Sequence, residues 1–127
     1  MNKLPSTAIF GFDETGVLHV YSSAAEAVLA WEGIDAESDA VRFYDARGAS
    51  LMPRSTTPNR SRRILGLFRW AQSGAYELVP SVTMEDPFAL ALYEARALEA
   101  NEWFSSLELL RSDLRENGVD VDFRPAG

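Results

Sequence analysis

Apolar residues in this chain come in short runs separated by polar turns, and the spacing of those runs predicts its elements. Ala8-Ile9-Phe10-Gly11-Phe12 and Val17-Leu18-His19-Val20-Tyr21 are rich in strand formers. Asp13-Glu14-Thr15-Gly16 lies between them, with Asp first and Gly fourth, the preference of a type I turn. Residues 7–21 therefore read as a hairpin. Ser23-Ala24-Ala25-Glu26 has the spacing of a capping box, and Ala24, Ala27, Val28 and Trp31 recur at helical intervals. Gly33 stands where a left-handed residue ends a helix, so the pattern predicts a helix over 24–32.

A second hairpin follows. Val41-Arg42-Phe43-Tyr44 and Ala49-Ser50-Leu51-Met52 flank Asp45-Ala46-Arg47-Gly48, a repeat of the D-x-x-G turn. Residues 53–61, with Pro53, Pro58 and Asn59, read as a loop. The run 64–71 is ambiguous by period; the Gln72-Ser73-Gly74 turn after it favours a strand, followed by another at 76–79.

The last third is helical in pattern. Thr83 can cap a helix with Pro87 near its start, and Leu90, Tyr93, Ala97, Ala100, Phe104 and Leu107 form a stripe. A second capping box, Ser105 to Glu108, divides this stretch into helices over 86–103 and 106–117. Gly118 closes the second, and Val119 to Phe123 alternate like an edge strand. The order β-β-α-β-β-β-β-α-α-β predicts one α+β domain spanning 1–127, with a mostly antiparallel sheet packed on one face by helices.

Length and composition agree with one domain. A chain of 127 residues buries roughly two-thirds of its extended surface, enough for a core without disulfides or metal. No secretory signal or membrane span is visible, so the expected location is cytoplasmic.

Charge changes the picture more. The formal net charge is −7. Residues 1–53 hold three basic and eight acidic side chains, 54–84 hold five and one, and 85–127 hold four and ten. A basic middle between acidic flanks is explained by neutralisation within one fold. Arg54, Arg60, Arg62 and Arg63 could bind phosphate, but overall acidity repels a polyanion and the loop holds no aromatic, so no nucleic-acid contact is expected.

Candidate chemistry is sparse. The chain has no cysteine and one histidine, His19. As a proton carrier His19 would need a carboxylate such as Asp45; as a structural residue it would be a half-buried imidazole bonded to backbone or tyrosine, the simpler reading. One imidazole without thiolates gives no metal site, no Gly-rich loop cradles a phosphate, and no cofactor is expected. Glu85 and Asp86 suit a helix N-terminus, and Asp120 and Asp122 suit the wet side of an edge strand. Phe10, Phe12, Phe43, Tyr44, Phe68, Trp70 and Trp103 read mostly as core. The inventory points away from an enzyme and toward binding.

One stretch suits a basic partner: Glu32, Asp35, Glu37 and Asp39 surround Gly33-Ile34, beside Trp31 as an apolar anchor. An exposed solubilising loop explains the same residues. The alternative binding class is a small-molecule or regulatory module, with a pocket between sheet and helices lined by Tyr44, Trp70 and Tyr93.

The successions FGFDETGVLHVYSSAAEA and WEGIDAESDAVRFYDARGASL, within residues 9–53, resemble small immunity proteins of bacterial polymorphic toxin systems, among them those of contact-dependent growth inhibition. The resemblance implies a cytoplasmic protein that binds the C-terminal toxin domain of its own effector and blocks its active site or substrate approach. Many such toxins are nucleases, whose phosphate-binding sites are positive. It supplies no position-by-position binding motif; Trp31, Glu32, Asp35, Glu37 and Asp39 are the expected contacts from charge and exposure.

Overall fold

Residues 3–31, 41–55, 76–81 and 87–122 are described by the structure, a computed structural model of the chain. The predicted strand over 64–71, most of the 53–61 loop, Thr83, Glu85, Asp86, Phe123 and Gly33 lie outside the described residues. The first helix, expected over 24–32, ends at Ala30, with Trp31 in extended backbone as its C-cap.

The described elements are β1 (Ile9–Asp13), β2 (Val17–Tyr21), α1 (Ala24–Ala30), β3 (Val41–Asp45), β4 (Ser50–Ser55), β5 (Tyr76–Pro80), α2 (Phe88–Glu94), β6 (Ala97–Leu98) and α3 (Leu107–Glu116). The strands form a six-stranded sheet in the order β5-β4-β3-β1-β2-β6, antiparallel throughout except where β6 runs parallel to β2. The fold is α+β, with a mostly antiparallel sheet and three helices against it.

Both hairpins close as their D-x-x-G sequences direct. Gly16 N–H donates to the Asp13 carbonyl at 3.1 Å and Gly48 N–H to the Asp45 carbonyl at 3.0 Å. Each glycine holds a positive φ, 88° and 89°, a region that L side chains rarely occupy. In the second turn Asp45 Oδ1 accepts the backbone N–H groups of Arg47 and Ala49, both at 2.9 Å.

Alternation along the strands sorts side chains onto two faces. Phe10, Phe12, Leu18, Val20 and Tyr44 join Phe88 and Leu92 of α2 and Leu110 and Leu114 of α3 in the larger core. Ile9, Val41 and Phe43 on the opposite face pack with Ala27 of α1. The cover by helices on one face thus describes α2 and α3, while α1 lies against the other. Phe10, Phe12, Phe43, Tyr44 and Trp103 are buried as the sequence predicts; Phe68 and Trp70 lie outside the described residues.

Serine caps open α1 and α3: Ser23 Oγ accepts Glu26 N–H at 3.3 Å, and Ser106 Oγ accepts Leu109 N–H at 3.2 Å. Pro87 is the N-cap of α2, one position before the helix rather than inside it.

Three boundaries differ from the sequence pattern. The helix expected over 86–103 ends at Glu94, because the β2 edge offers carbonyls that the chain uses instead. Arg96 N–H donates to Gly16 O at 2.8 Å and Glu99 N–H to Leu18 O at 2.9 Å, drawing Ala97 and Leu98 out as β6. Asn101 Oδ1 then accepts the N–H groups of Trp103 and Phe104, both at 2.8 Å, and turns the chain so that both rings are buried. The loop expected from residue 53 begins later, since β4 continues to Ser55. It pairs with β3 only over Ser50 and Leu51, so Pro53 has a ladder neighbour on the β5 side alone.

The third difference is the edge strand expected from Val119. Residues 119–122 make no strand. Gly118 N–H bonds Arg115 O at 3.1 Å and Val119 N–H bonds Leu114 O at 2.9 Å, a Schellman closure that folds Val121 into the core. Asp122 pairs with Arg115 at 2.7 Å instead of lining a sheet edge.

Candidate functional site

A group of titratable side chains gathers around His19, on the α1 face of the sheet. Register explains its position. His19 lies opposite Gly11 in the β1–β2 ladder, and Asp13, two residues beyond Gly11, projects from the same face. The Asp13 carboxylate reaches the imidazole diagonally across the ladder, while the space beside Gly11 is bounded by Val41 and Phe43. His19 Nε2 lies 2.8 Å from Asp13 Oδ2. Glu99, delivered just past β6, meets Nδ1 through Oε2 from the other side of the ring.

Asp13 is doubly employed. Its Oδ1 accepts Thr15 N–H at 2.9 Å, Thr15 Oγ1 at 2.6 Å and Val17 N–H at 3.1 Å, which fixes the turn. Its Oδ2 is left for His19. Burial pushes the Asp13 carboxyl up, but the hydrogen bonds from His19, Thr15 and Val17 outweigh that effect and hold it well below the ordinary carboxylate range. Asp13 is therefore ionised at any pH near neutral.

Two aromatic residues complete the surroundings. The Tyr21 ring lies parallel to the imidazole with centroids 6.4 Å apart, and Trp31 meets it edge-to-face at 5.3 Å. Trp31 Nε1–H donates to Tyr21 Oη at 2.7 Å, tying the end of α1 to β2. Burial raises the Tyr21 hydroxyl above its ordinary value; the Trp31 hydrogen bond opposes this, and the charges of Glu99 and Asp13 add to it.

The chemistry open to this group is narrow. Both imidazole nitrogens face carboxylate oxygens, so neither points toward a substrate, as a general base must. The nearby hydroxyl of Thr15 is committed to Asp13. Only the ring with a proton on each nitrogen donates to both carboxylates. The side chain of His19 is 13% exposed and that of Glu99 58%, so the triad has one closed arm and one wet arm.

The proposed partners of His19 are thereby corrected. It is half-buried, but its partners are carboxylates rather than backbone or tyrosine hydroxyl. The carboxylates are Asp13 and Glu99; Asp45 is occupied with its own turn. The Asp13 contact was within reach of the hairpin register. Glu99, 80 positions from His19, was not, because its segment read as helix.

Of the expected partner contacts, Trp31 is half-buried with its indole bonded internally, and Glu32, Asp35, Glu37 and Asp39 lie outside the described residues. In the basic middle segment, Arg54 pairs with its cross-strand neighbour Glu77, Nε to Oε1 at 3.0 Å; Arg60, Arg62 and Arg63 lie outside the described residues. Tyr44 and Tyr93 do not share a pocket between sheet and helices. Tyr44 is 1% exposed within the packed core, Tyr93 is 59% exposed, and Trp70 lies outside the described residues. A cleft of about 280 Å³ does open elsewhere, between the β1–β2 turn and α2. Its wall carries Glu14, Arg42, Glu94 and Arg96, charges of both signs.

Among the described residues no cluster of three or more potential ligands could hold a metal ion, and no helix is long and apolar enough to cross a membrane. No protein-family model, curated protein or solved structure matches the chain.

Proposed function

We propose that this chain is an immunity protein, which binds the toxin domain of its own effector and blocks a positively charged active site, that of a nuclease above all. It acts in the cytoplasm by stoichiometric binding, without chemistry of its own. The observation that carries the reading is the net charge of −7, concentrated in acidic flanks. Phosphate-binding sites are cationic, so an acidic domain of this size competes for them by charge complementarity. Asp13 and Glu99 flank His19, whose ring packs against Trp31, and the acidic stretch Glu32 to Asp39 begins at the next residue in the sequence, which adds support. The commitment of both His19 nitrogens to carboxylates fits a role without catalysis.

The interface is expected to bury about 1,600 Å² in total, the size usual for stable complexes. The test is co-expression with the protein encoded immediately upstream. A one-to-one complex, together with protection of cells that produce that protein, is the expected result. Absence of both would overturn the reading.

A further inference from the structure

We propose that the cleft between the β1–β2 turn and α2 is a binding site for a small zwitterion of the α-amino-acid class. Its floor is apolar: Phe12 of β1 and Ala91 of α2 are buried there, and Ala95 packs against the same core. Its walls are charged, with Glu14 from the turn, Glu94 and Arg96 from the end of α2 and beyond, and Arg42 from β3. Arg42 lies opposite Phe12 in the β1–β3 ladder and so shares the face that α2 covers. The volume of about 280 Å³ is close to the lower end of small-molecule sites, roughly 300 Å³.

Backbone pairing puts a cation at the turn. Arg96 N–H donates to Gly16 O at 2.8 Å, and the Arg96 stem lies over the bare Gly16, where an added Cβ would meet its Cγ at 3.0 Å. The guanidinium thus borders the same cleft as Glu14, the neighbouring acid of that turn. Among the described residues, neither the Glu14 nor the Arg96 side chain makes a hydrogen bond or an ion pair. Two opposite charges that share a cleft without meeting leave a donor fork and an acceptor for a ligand that bears both signs. Arg42 and Glu94 do meet, at 4.0 Å. Such a partly exposed pair contributes little to stability, and it closes one side of the cleft without taking up Glu14 or Arg96.

The sum of charges narrows the ligand further. Asp13, Glu14 and Glu94 stand against Arg42 and Arg96, so the lining carries one more negative charge than positive. A phosphate ester or a dicarboxylate meets net repulsion there. Asp13 offers no contact of its own, since its oxygens already serve Thr15, Val17 and His19. An amino acid satisfies the remaining groups. Its carboxylate accepts the paired N–H groups of the Arg96 fork, and its ammonium donates to Glu14. An aliphatic side chain then covers Phe12, Ala91 and Ala95. The site and the immunity reading stand on different residues, and neither requires the other.

The test is an NMR titration of the full chain, followed on its backbone amides, with L-leucine and with two compounds that each lack one of its charges. Isoamylamine has no carboxylate, and isocaproate has no ammonium. Leucine is expected to give saturable shifts around Phe12 to Gly16 and Ala91 to Arg96. Either single-charge compound should bind at least about tenfold more weakly, having lost a charge-assisted hydrogen bond. Glu14→Gln and Arg96→Gln should each weaken leucine binding by a similar factor; both side chains are exposed and unpaired, so the fold tolerates the change. Glu26→Gln, an exposed position on α1 across the sheet, should leave it unaltered. The absence of a saturable shift at millimolar leucine would overturn the site, as would full-strength binding in Arg96→Gln. Equal binding of N-acetyl-leucine amide, which lacks both charges as a residue within a protein chain does, would overturn it in favour of a contact for a protein partner. Failure of the co-expression experiment leaves these outcomes untouched.

Discussion

Asp13 serves two structures with its two oxygens, one closing the β1–β2 turn and the other bonding His19. Replacing it with asparagine keeps the shape and removes the charge that His19 faces. Asp13→Asn is predicted to cost about 1–3 kcal/mol at neutral pH, measured by urea unfolding. The pH dependence has a definite sign. The folded-state carboxyl is held below its ordinary value of 3.8, so its stabilisation is fully present above that value and is lost as pH falls toward the folded-state one. The gap between native chain and variant should therefore narrow in acid; a gap that widens there would contradict the role given to Asp13. Gly16 is a second sensitive position, since its φ is 88° and an added Cβ would meet Arg96 Cδ at 2.9 Å. Gly16→Ala is predicted to destabilise by about 1–2 kcal/mol from backbone strain alone.

Among the elements, α2 shows how tertiary context limits a sequence pattern. Its inner face supplies Phe88 and Leu92 to the large core, where Phe88 meets Phe10 at 5.2 Å and Tyr44 at 5.5 Å between centroids. Arg111 of α3 donates to Leu92 O at 2.8 Å and joins the two helices. Leu92→Ala is predicted to cost about 2–5 kcal/mol, whereas Leu29→Ala, on the outer side of α1 at 86% exposure, should change stability by less than about 0.5 kcal/mol. Equal effects in thermal unfolding would mean that the core is misassigned. Both hairpins and the Ser23 cap were legible because their signals are local: an aspartate and a glycine three positions apart, a serine before an apolar stripe. The second capping box, read at Ser105, falls one residue early, since Ser106 caps α3. The end of α2 was not. Ala97, Leu98 and Ala100 suit a helix, and only the unpaired carbonyls of Gly16 and Leu18, distant in sequence, draw that segment to the sheet. The same long-range contact delivers Glu99, so the His19 triad stayed hidden even though His19 and its strand face were evident. The Asp120–Asp122 alternation was a true burial signal, with Val121 in and Asp122 out, but α3 rather than a strand receives it.

For the whole molecule, the distribution of charge matters more than any single group. A net charge of −7 on 127 residues creates a field that speeds encounter with a cationic surface and weakens with added salt. Reversal at Asp35 and Glu37, as Asp35→Lys and Glu37→Lys, is predicted to slow association with the upstream-encoded protein and to reduce its salt dependence, read by stopped-flow mixing. Dissociation should change less, because peripheral charges act mainly on encounter. The most direct measurement is the association rate of the native chain with that protein's C-terminal domain across ionic strength, with toxin activity followed in parallel. The account predicts rapid one-to-one binding that falls steeply with salt and abolishes the activity. Absence of binding, or binding that is indifferent to salt and leaves the toxin active, would contradict it.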